Sequence, residues 1–154
     1  AAAGSEQLRE IYALRGLIGA LAIELGGSSY DSARLAQIDE NIEASEVAVS
    51  TREIPRYAEL NHEFHVLLCD TPHSQWCLRM LVSLSALTAI HHGFAVMPRR
   101  MMESLAEHKA IRDAIYAGDL VRAAALVKEH EQAGLNALVR ELDAGRHVLT
   151  EDAD

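Results

Sequence analysis

Aromatic residues, prolines and cysteines are all scarce in this chain of 154 residues. Aromatic residues make up 5% of it, and there are 3 prolines and 2 cysteines. Cys69 and Cys77 have no metal-type spacing, so the sequence predicts neither a disulfide framework nor a cysteine zinc site, but free buried thiols. Alanine, leucine, glutamate and arginine are abundant instead. Because these residues lose little side-chain freedom in a helix, the composition favours an all-α fold.

Positive charge and long apolar runs are also in short supply. Lysine and arginine number 14 against 23 aspartates and glutamates, a formal net charge of −9. Such a surface repels phosphate, so the chain is not expected to bind DNA by itself. The longest apolar stretch, 81–90, is shorter than the roughly 18 residues that cross a bilayer, and no signal peptide pattern is visible. We therefore expect a cytoplasmic protein without a membrane segment.

Hydrophobic periodicity predicts about six helices joined by short loops. Gly26–Gly27, Gly93 and Gly145 supply helix stops, and Asp119 is a natural N-cap. Successive helices with short connections pack as antiparallel neighbours, so the expected fold is an all-α antiparallel bundle. It forms one domain over 1–154, in which 1–5 read as a linker or tag remnant. The predicted helices cover roughly 6–25, 31–49, 55–70, 74–91, 99–116 and 119–143, of which the second is the most polar and is expected at the surface.

Four polar residues lie on apolar helix faces. Asn61 and His65, four residues apart, share the inward stripe of the third helix. His108 lies within the stripe of the fifth helix, and His130 within that of the sixth. These two histidines are equidistant from Asp119 in the turn between their helices. In an antiparallel hairpin, residues equidistant from the turn lie level, so both imidazoles are expected to face each other inside the bundle.

These inward polar groups have two interpretations. Burying an imidazole or amide without a partner costs about 1–3 kcal/mol, and a shared metal ion removes that cost, since neutral imidazole is a common metal ligand. Alternatively, each histidine bonds a backbone carbonyl within the core, as single inward histidines usually do. Both interpretations remain open from spacing alone. The other histidines are expected off the site: His62 solvated, His73 as a cap in a connection, His91 and His92 adjacent and divergent, and His147 in the polar tail.

Several short stretches, taken in order, resemble one known family. They are Leu14-Arg15, Asn61-His62-Glu63-Phe64-His65, Glu107-His108 with Ile111 and Ile115, Ala117-Gly118-Asp119, Ala123-Ala124 and His130. Their order and spacing resemble those of the FCD domain, the C-terminal effector domain of the FadR-like branch of GntR transcription regulators. The likeness extends over about residues 7–142.

The resemblance implies a metal site and an effector. Carried over, the family's metal ligands fall on Asn61, His65, His108 and His130, with Asn61 where the commoner residue is aspartate. The ion would be divalent, zinc first and nickel or another ion as alternatives. Arg15 and Arg100 match positions that would bind a small organic acid, because a guanidinium binds a carboxylate bidentately.

The implied function is regulation rather than catalysis. Effector binding would shift helix packing in a homodimer and so the spacing of two winged helix-turn-helix domains, which lie N-terminal to this domain and are not part of the chain. One alternative is a metalloenzyme whose three histidines hold the metal and in which Glu63 or Glu107 is the base. Another is a plain helical interaction domain without a metal.

Overall fold

In the computed structural model, which describes residues 4–88, 94 and 98–151, six α-helices form a bundle, and this part of the chain contains no strand. The prediction of an all-α bundle is therefore confirmed. A short 3₁₀ turn, Gly27–Ser29, follows the first helix. The helices are α1 (Ser5–Gly26), α2 (Ser32–Ser50), α3 (Ile54–Cys69), α4 (Gln75–Leu87), α5 (Pro98–Tyr116) and α6 (Leu120–Glu151).

Two predicted helix ends are wrong. The α4 helix ends at Leu87, because Thr88 takes an extended conformation and its N–H bonds back to the Ser85 carbonyl. The predicted end around His91 to Gly93 lies outside the described residues. The α6 helix continues through Gly145 to Glu151. Gly145 does not have the positive φ that ends a helix, and one glycine inside a helix costs only about 1 kcal/mol relative to alanine.

The turn between α5 and α6 has the geometry that the sequence predicts. Gly118 has a φ of +72°, and its N–H bonds to the Ile115 carbonyl while that of Asp119 bonds to the Ala114 carbonyl. These two bonds form a Schellman motif, in which glycine accepts positive φ without steric cost. The Asp119 carboxylate then accepts from the Arg122 N–H at 3.0 Å and caps α6. This tight turn fixes the register of the α5–α6 hairpin.

The α1 helix lies close against α6. A Cβ atom added at Gly19 would come within 2.7 Å of Val127 Cγ1, and one at Gly16 within 3.5 Å of Lys128 Cα. Glycine at these positions therefore lets the two helix backbones approach. Because α1 carries Arg15 and α6 carries His130, this contact brings both residues to the same part of the interior.

The α1 segment Glu6–Ser29 is long and apolar enough to cross a membrane by length and composition, with a mean hydropathy of 1.2 in its best window. The expectation that no run approaches this length is thus corrected. Core helices of soluble proteins meet the same criterion, and 39% of this window is buried within the bundle. In addition, Arg15 forms a buried ion pair there. In this structure α1 is a core helix with one exposed side.

The interior has an apolar part and a polar part. The apolar part lies mainly among α2, α3 and α5, where Ile38, Ile42 and Ile111 are almost fully buried. Thus α2, predicted at the surface, still buries one face. Cys69 and Cys77 are free and buried near α1, as predicted. The polar part lies among α1, α3, α5 and α6, and its buried residues are Arg15, Asn61, His65, Arg100, Ser104, His108, His130 and Glu131.

Candidate metal centre

Three imidazoles from three helices meet in the polar part of the interior. The ring centroids are 5.3 Å apart for His65 and His108, 5.0 Å for His65 and His130, and 4.8 Å for His108 and His130. One nitrogen from each ring lies within 4.8 Å of the other two. The predicted juxtaposition of His108 and His130 across the hairpin is confirmed, and His65 joins them. Their role as metal ligands stays a prediction.

A hydrogen bond to Glu107 determines which nitrogen of the His130 ring is free to bind a metal. His130 Nδ1 lies 2.6 Å from Glu107 Oε1, and a carboxylate only accepts, so Nδ1 carries the proton and Nε2 keeps its lone pair. That Nε2 lies 3.1 Å from His65 Nε2. Arg100 pairs with Glu107 through bonds of 2.6 and 2.8 Å. Burial opposes ionisation of Glu107, but hydrogen bonds from His130 and Arg100 outweigh it and lower its pKa.

His108 is completely buried and lacks polar partners. Its ring stacks on Phe64, with centroids 4.0 Å apart and planes 7° from parallel. Neither ring nitrogen has a hydrogen-bond partner among the described residues. Burial, followed by the charge of His130, holds the pKa values of His108 and His65 well below the usual 6.5. Both rings are therefore neutral near pH 7, the form that binds a metal.

Unpartnered polar atoms concentrate at this place. Within the described part of the chain, four buried side-chain atoms have no hydrogen-bond partner, and three of them are Asn61 Oδ1 and the two ring nitrogens of His108. The fourth is the Oδ1 atom of Asn41 in α2. Buried polar atoms are rarely left without partners. Asn61 Oδ1 and one nitrogen of the neutral His108 ring therefore offer free lone pairs. With the other two imidazoles they have the donor chemistry of a metal site.

A second carboxylate lies on the inward side of the histidines. Glu131 bonds Arg15 at 3.0 and 3.3 Å, and both side chains are at most 4% exposed. Glu131 Oε1 is also 3.9 Å from His65 Nε2. Glu131 was not among the predicted site residues. The signal was present, because Glu131 continues the buried series Ala124, Val127, Leu135 and Leu138 along α6 at helical spacing.

A small cavity of about 40 Å³ adjoins His130. Both arginines that the sequence analysis assigned to the effector, Arg15 and Arg100, line it together with Asn61, His130 and Glu131. Its volume holds a few water molecules or a small polar group. Each arginine is already paired with a glutamate. Binding of an effector by either arginine stays a prediction.

The remaining histidines are not part of this cluster. His62 is half-buried, with a pKa lowered by burial and by Arg15. His73 is exposed, and its backbone N–H donates to Thr71 Oγ1; capping by its ring stays a prediction. His91, His92 and the side chain of His147 lie outside the described part of the structure.

Comparison with known proteins gives one family. A search among curated proteins found none that matches the chain. The family model of the FCD domain matches residues 10–133, a stretch that includes Arg15, Arg100 and all four predicted metal ligands. Because this match covers most of the sequence, the chain belongs to the FCD domain family.

Proposed function

We propose that this chain is the ligand-sensing domain of a cytoplasmic GntR-type transcription regulator of the FadR branch, and that it binds a divalent metal and a small carboxylate effector. Membership of a regulatory domain family supports the sensing role. The single observation that supports the metal site is that three buried imidazoles each place one nitrogen within 4.8 Å of the other two. Regulation, not catalysis, is the function of this site.

The residues fit a divalent ion. His65, His108 and His130 would hold it, with Asn61 Oδ1 as an oxygen donor. Three imidazoles suit zinc, and nickel or another divalent ion accepts the same set. When bound, the ion offers open coordination positions to a carboxylate. Glu107 holds His130 in the ligating tautomer, as such partners of metal-bound histidines do.

Arg15 is the better candidate for the effector carboxylate. Arg100 directs both terminal nitrogens at Glu107, Glu103 and the His130 carbonyl, so those nitrogens are in use. Arg15 makes three hydrogen bonds, to Glu131 and Ser85, and a guanidinium has five N–H donors. Two donors of Arg15 thus remain for a ligand in the cavity. A cavity of about 40 Å³ suits an acid of few carbon atoms.

The position of Arg15 on α1 supplies a route from ligand to DNA. An effector that draws Arg15 away from Glu131 changes the contact between α1 and α6. In the proposed full-length regulator, α1 follows the winged helix-turn-helix domain, so a shift of α1 relocates that domain. The regulator would then bind DNA through the N-terminal domain only.

An exposed apolar face supports the proposed homodimer. The neighbouring helices α1 and α4 expose between 40 and 71% of the side chains Leu14, Leu17, Leu21, Leu25, Trp76, Met80 and Leu87. The exposed area of these seven side chains approaches the roughly 800 Å² that each partner buries in a stable interface. None of these seven side chains is charged, and the Arg79 guanidinium lies 4.7 Å from the centroid of the Trp76 ring. We therefore propose that a second copy of the chain packs against this face.

Sedimentation velocity tests the dimer. We expect Leu17→Glu to convert the protein to a monomer, because the new carboxylate would be buried in the interface without a partner. Val121→Glu, on α6 and 80% exposed, should leave the dimer intact. A wild-type protein that sediments as a monomer at all concentrations would contradict the dimer.

A metalloenzyme is the alternative that these contacts favour less. Glu63 is exposed, away from the imidazoles, and Glu107 is occupied by Arg100 and His130. Elemental analysis of the purified chain and ligand-dependent melting test the sensor directly. We expect about one metal ion per chain and a higher Tm with one of a panel of small carboxylic acids. His108→Ala should lose the ion, whereas His73→Ala should keep it; equal metal content in both would contradict the site.

A further inference from the structure

The buried charges around the histidines cancel in pairs without a metal. Arg15 pairs with Glu131, and Arg100 pairs with Glu107. The three imidazoles and the Asn61 amide are neutral donors. A divalent ion held by these four groups alone would have no anion in contact with it, and a buried charge without a close counter-charge is costly. The nearest carboxylate therefore decides how well the site accepts the ion.

The two glutamates approach the histidines from opposite sides. Glu107 contacts His130 Nδ1, the nitrogen that points away from the other rings. Glu131 Oε1 instead lies 3.9 Å from His65 Nε2, which faces His130 Nε2 at 3.1 Å. Glu131 therefore lies close to one of the nitrogens that would share an ion, that of His65, whereas Glu107 bonds the other nitrogen of His130.

We infer that Glu131 is the anionic oxygen ligand of the metal centre and supplies the negative charge that Asn61 lacks. The inference rests on the proposed metal site. Glu131 follows His130 directly on α6, so one helix turn places two donors. Asn61 is then a neutral neighbour of the site rather than its principal oxygen ligand.

Arg15 acts as a positioning residue for this carboxylate. It bonds Glu131 Oε2 through Nε at 3.0 Å and Oε1 through Nη2 at 3.3 Å, and its Nη1 donates to Ser85 Oγ at 2.7 Å. These contacts from α1 and α4 fix the plane of the carboxylate and leave Oε1 directed at His65. Ligating carboxylates in metal sites are themselves hydrogen-bonded in this way. An effector carboxylate that competes for Arg15 would also loosen Glu131, which couples effector and metal.

Competition for Zn²⁺ between metal-free protein and a chromophoric chelator tests the assignment. We expect Glu131→Gln to lower zinc affinity by about 100-fold, and Asn61→Ala to lower it by less than about 10-fold. The matched control is Glu129→Gln, an exposed glutamate on the same helix, which should bind as the wild type does. The double variant Asn61→Asp/Glu131→Gln should regain most of the affinity, because it returns a carboxylate to the site.

A second variant guards against misfolding. Glu131→Gln leaves Arg15 buried without its partner, so Arg15→Gln/Glu131→Gln, which removes both charges, should fold and still bind zinc weakly. The visible spectrum of the Co²⁺-loaded wild type should differ from that of this double variant, since one ligand differs. Equal zinc affinity of the wild type, Glu131→Gln and Arg15→Gln/Glu131→Gln would overturn the assignment of Glu131 alone. A wild type that binds none of Zn²⁺, Ni²⁺ or Co²⁺ would overturn the proposed function as well.

Discussion

The two buried arginine–glutamate pairs use the same chemistry on opposite sides of the histidines. Arg15 and Glu131 are 3 and 4% exposed, and Glu131 faces the inner nitrogen of His65. Arg100 is 5% exposed, but its partner Glu107 is 29% exposed and bonds the outer nitrogen of His130. An arginine–glutamate pair can therefore either orient a metal-binding histidine through its outer nitrogen or face the proposed metal position directly. The role of each pair depends on which histidine nitrogen its glutamate contacts.

The largest expected effect of this difference is on stability without metal. Removing one member of a fully buried ion pair leaves an uncompensated charge and costs about 3–5 kcal/mol. We expect that loss in the free energy of unfolding for Glu131→Gln, measured by urea denaturation of the chelated protein. Glu107→Gln should cost about 1–2 kcal/mol, because water reaches the partly exposed side chain at position 107 and Arg100 keeps its bonds to Glu103 and the His130 carbonyl. Equal losses in the two variants would contradict the comparison.

A smaller effect, on metal affinity, is expected from loss of the Arg100–Glu107 pair. Glu107→Ala removes the acceptor that holds the His130 tautomer, and loss of such a partner lowers metal affinity by about 10–100-fold. The variant should still bind one ion at saturating zinc, since all inner donors remain. Isothermal titration measures both quantities. Unchanged affinity would mean that the bond between Glu107 and His130 does not assist the centre.

Low pH tests the buried rings of His65 and His108 separately from the Arg100–Glu107 pair. The pKa values of His65 and His108 are lowered in the folded state, so below pH 6.5 the unfolded chain binds protons that the folded chain does not. The stability of the chelated protein should be full above pH 6.5 and decline below it, by up to about 1.4 kcal/mol per pH unit for each ring. Urea midpoints between pH 7 and pH 5 measure this. The slope should decrease in His108→Phe, and an equal slope would argue against a neutral buried His108.

The smallest effect belongs to an exposed pair with the same residue types. Arg56 and Glu59, which are 52 and 65% exposed, lie 3.5 Å apart on α3. Because water screens this pair, Glu59→Gln should change the free energy of unfolding by no more than about 0.5 kcal/mol. Thermal melting in low and high salt measures it. A loss as large as that of Glu131→Gln would show that burial does not set the cost.

The sequence predicted those parts of the site that local patterns encode. Gly118 and Asp119 marked the turn, and equal distance from it placed His108 level with His130. Helical spacing put Asn61 and His65 on one face. The partners of Glu107 and Glu131 could not be predicted in this way, since Arg15 lies 116 residues from Glu131 and meets it only through the close packing of α1 on α6. Gly145 misled the prediction because a glycine ends a helix only where the backbone takes positive φ.

The most direct test of the central claim is a crystal of the chain grown with zinc and measured at the zinc absorption edge. We predict one anomalous peak bonded to a nitrogen of each of His65, His108 and His130. Absence of a peak there, with each ring bonded to its own protein acceptor, would contradict a shared ion.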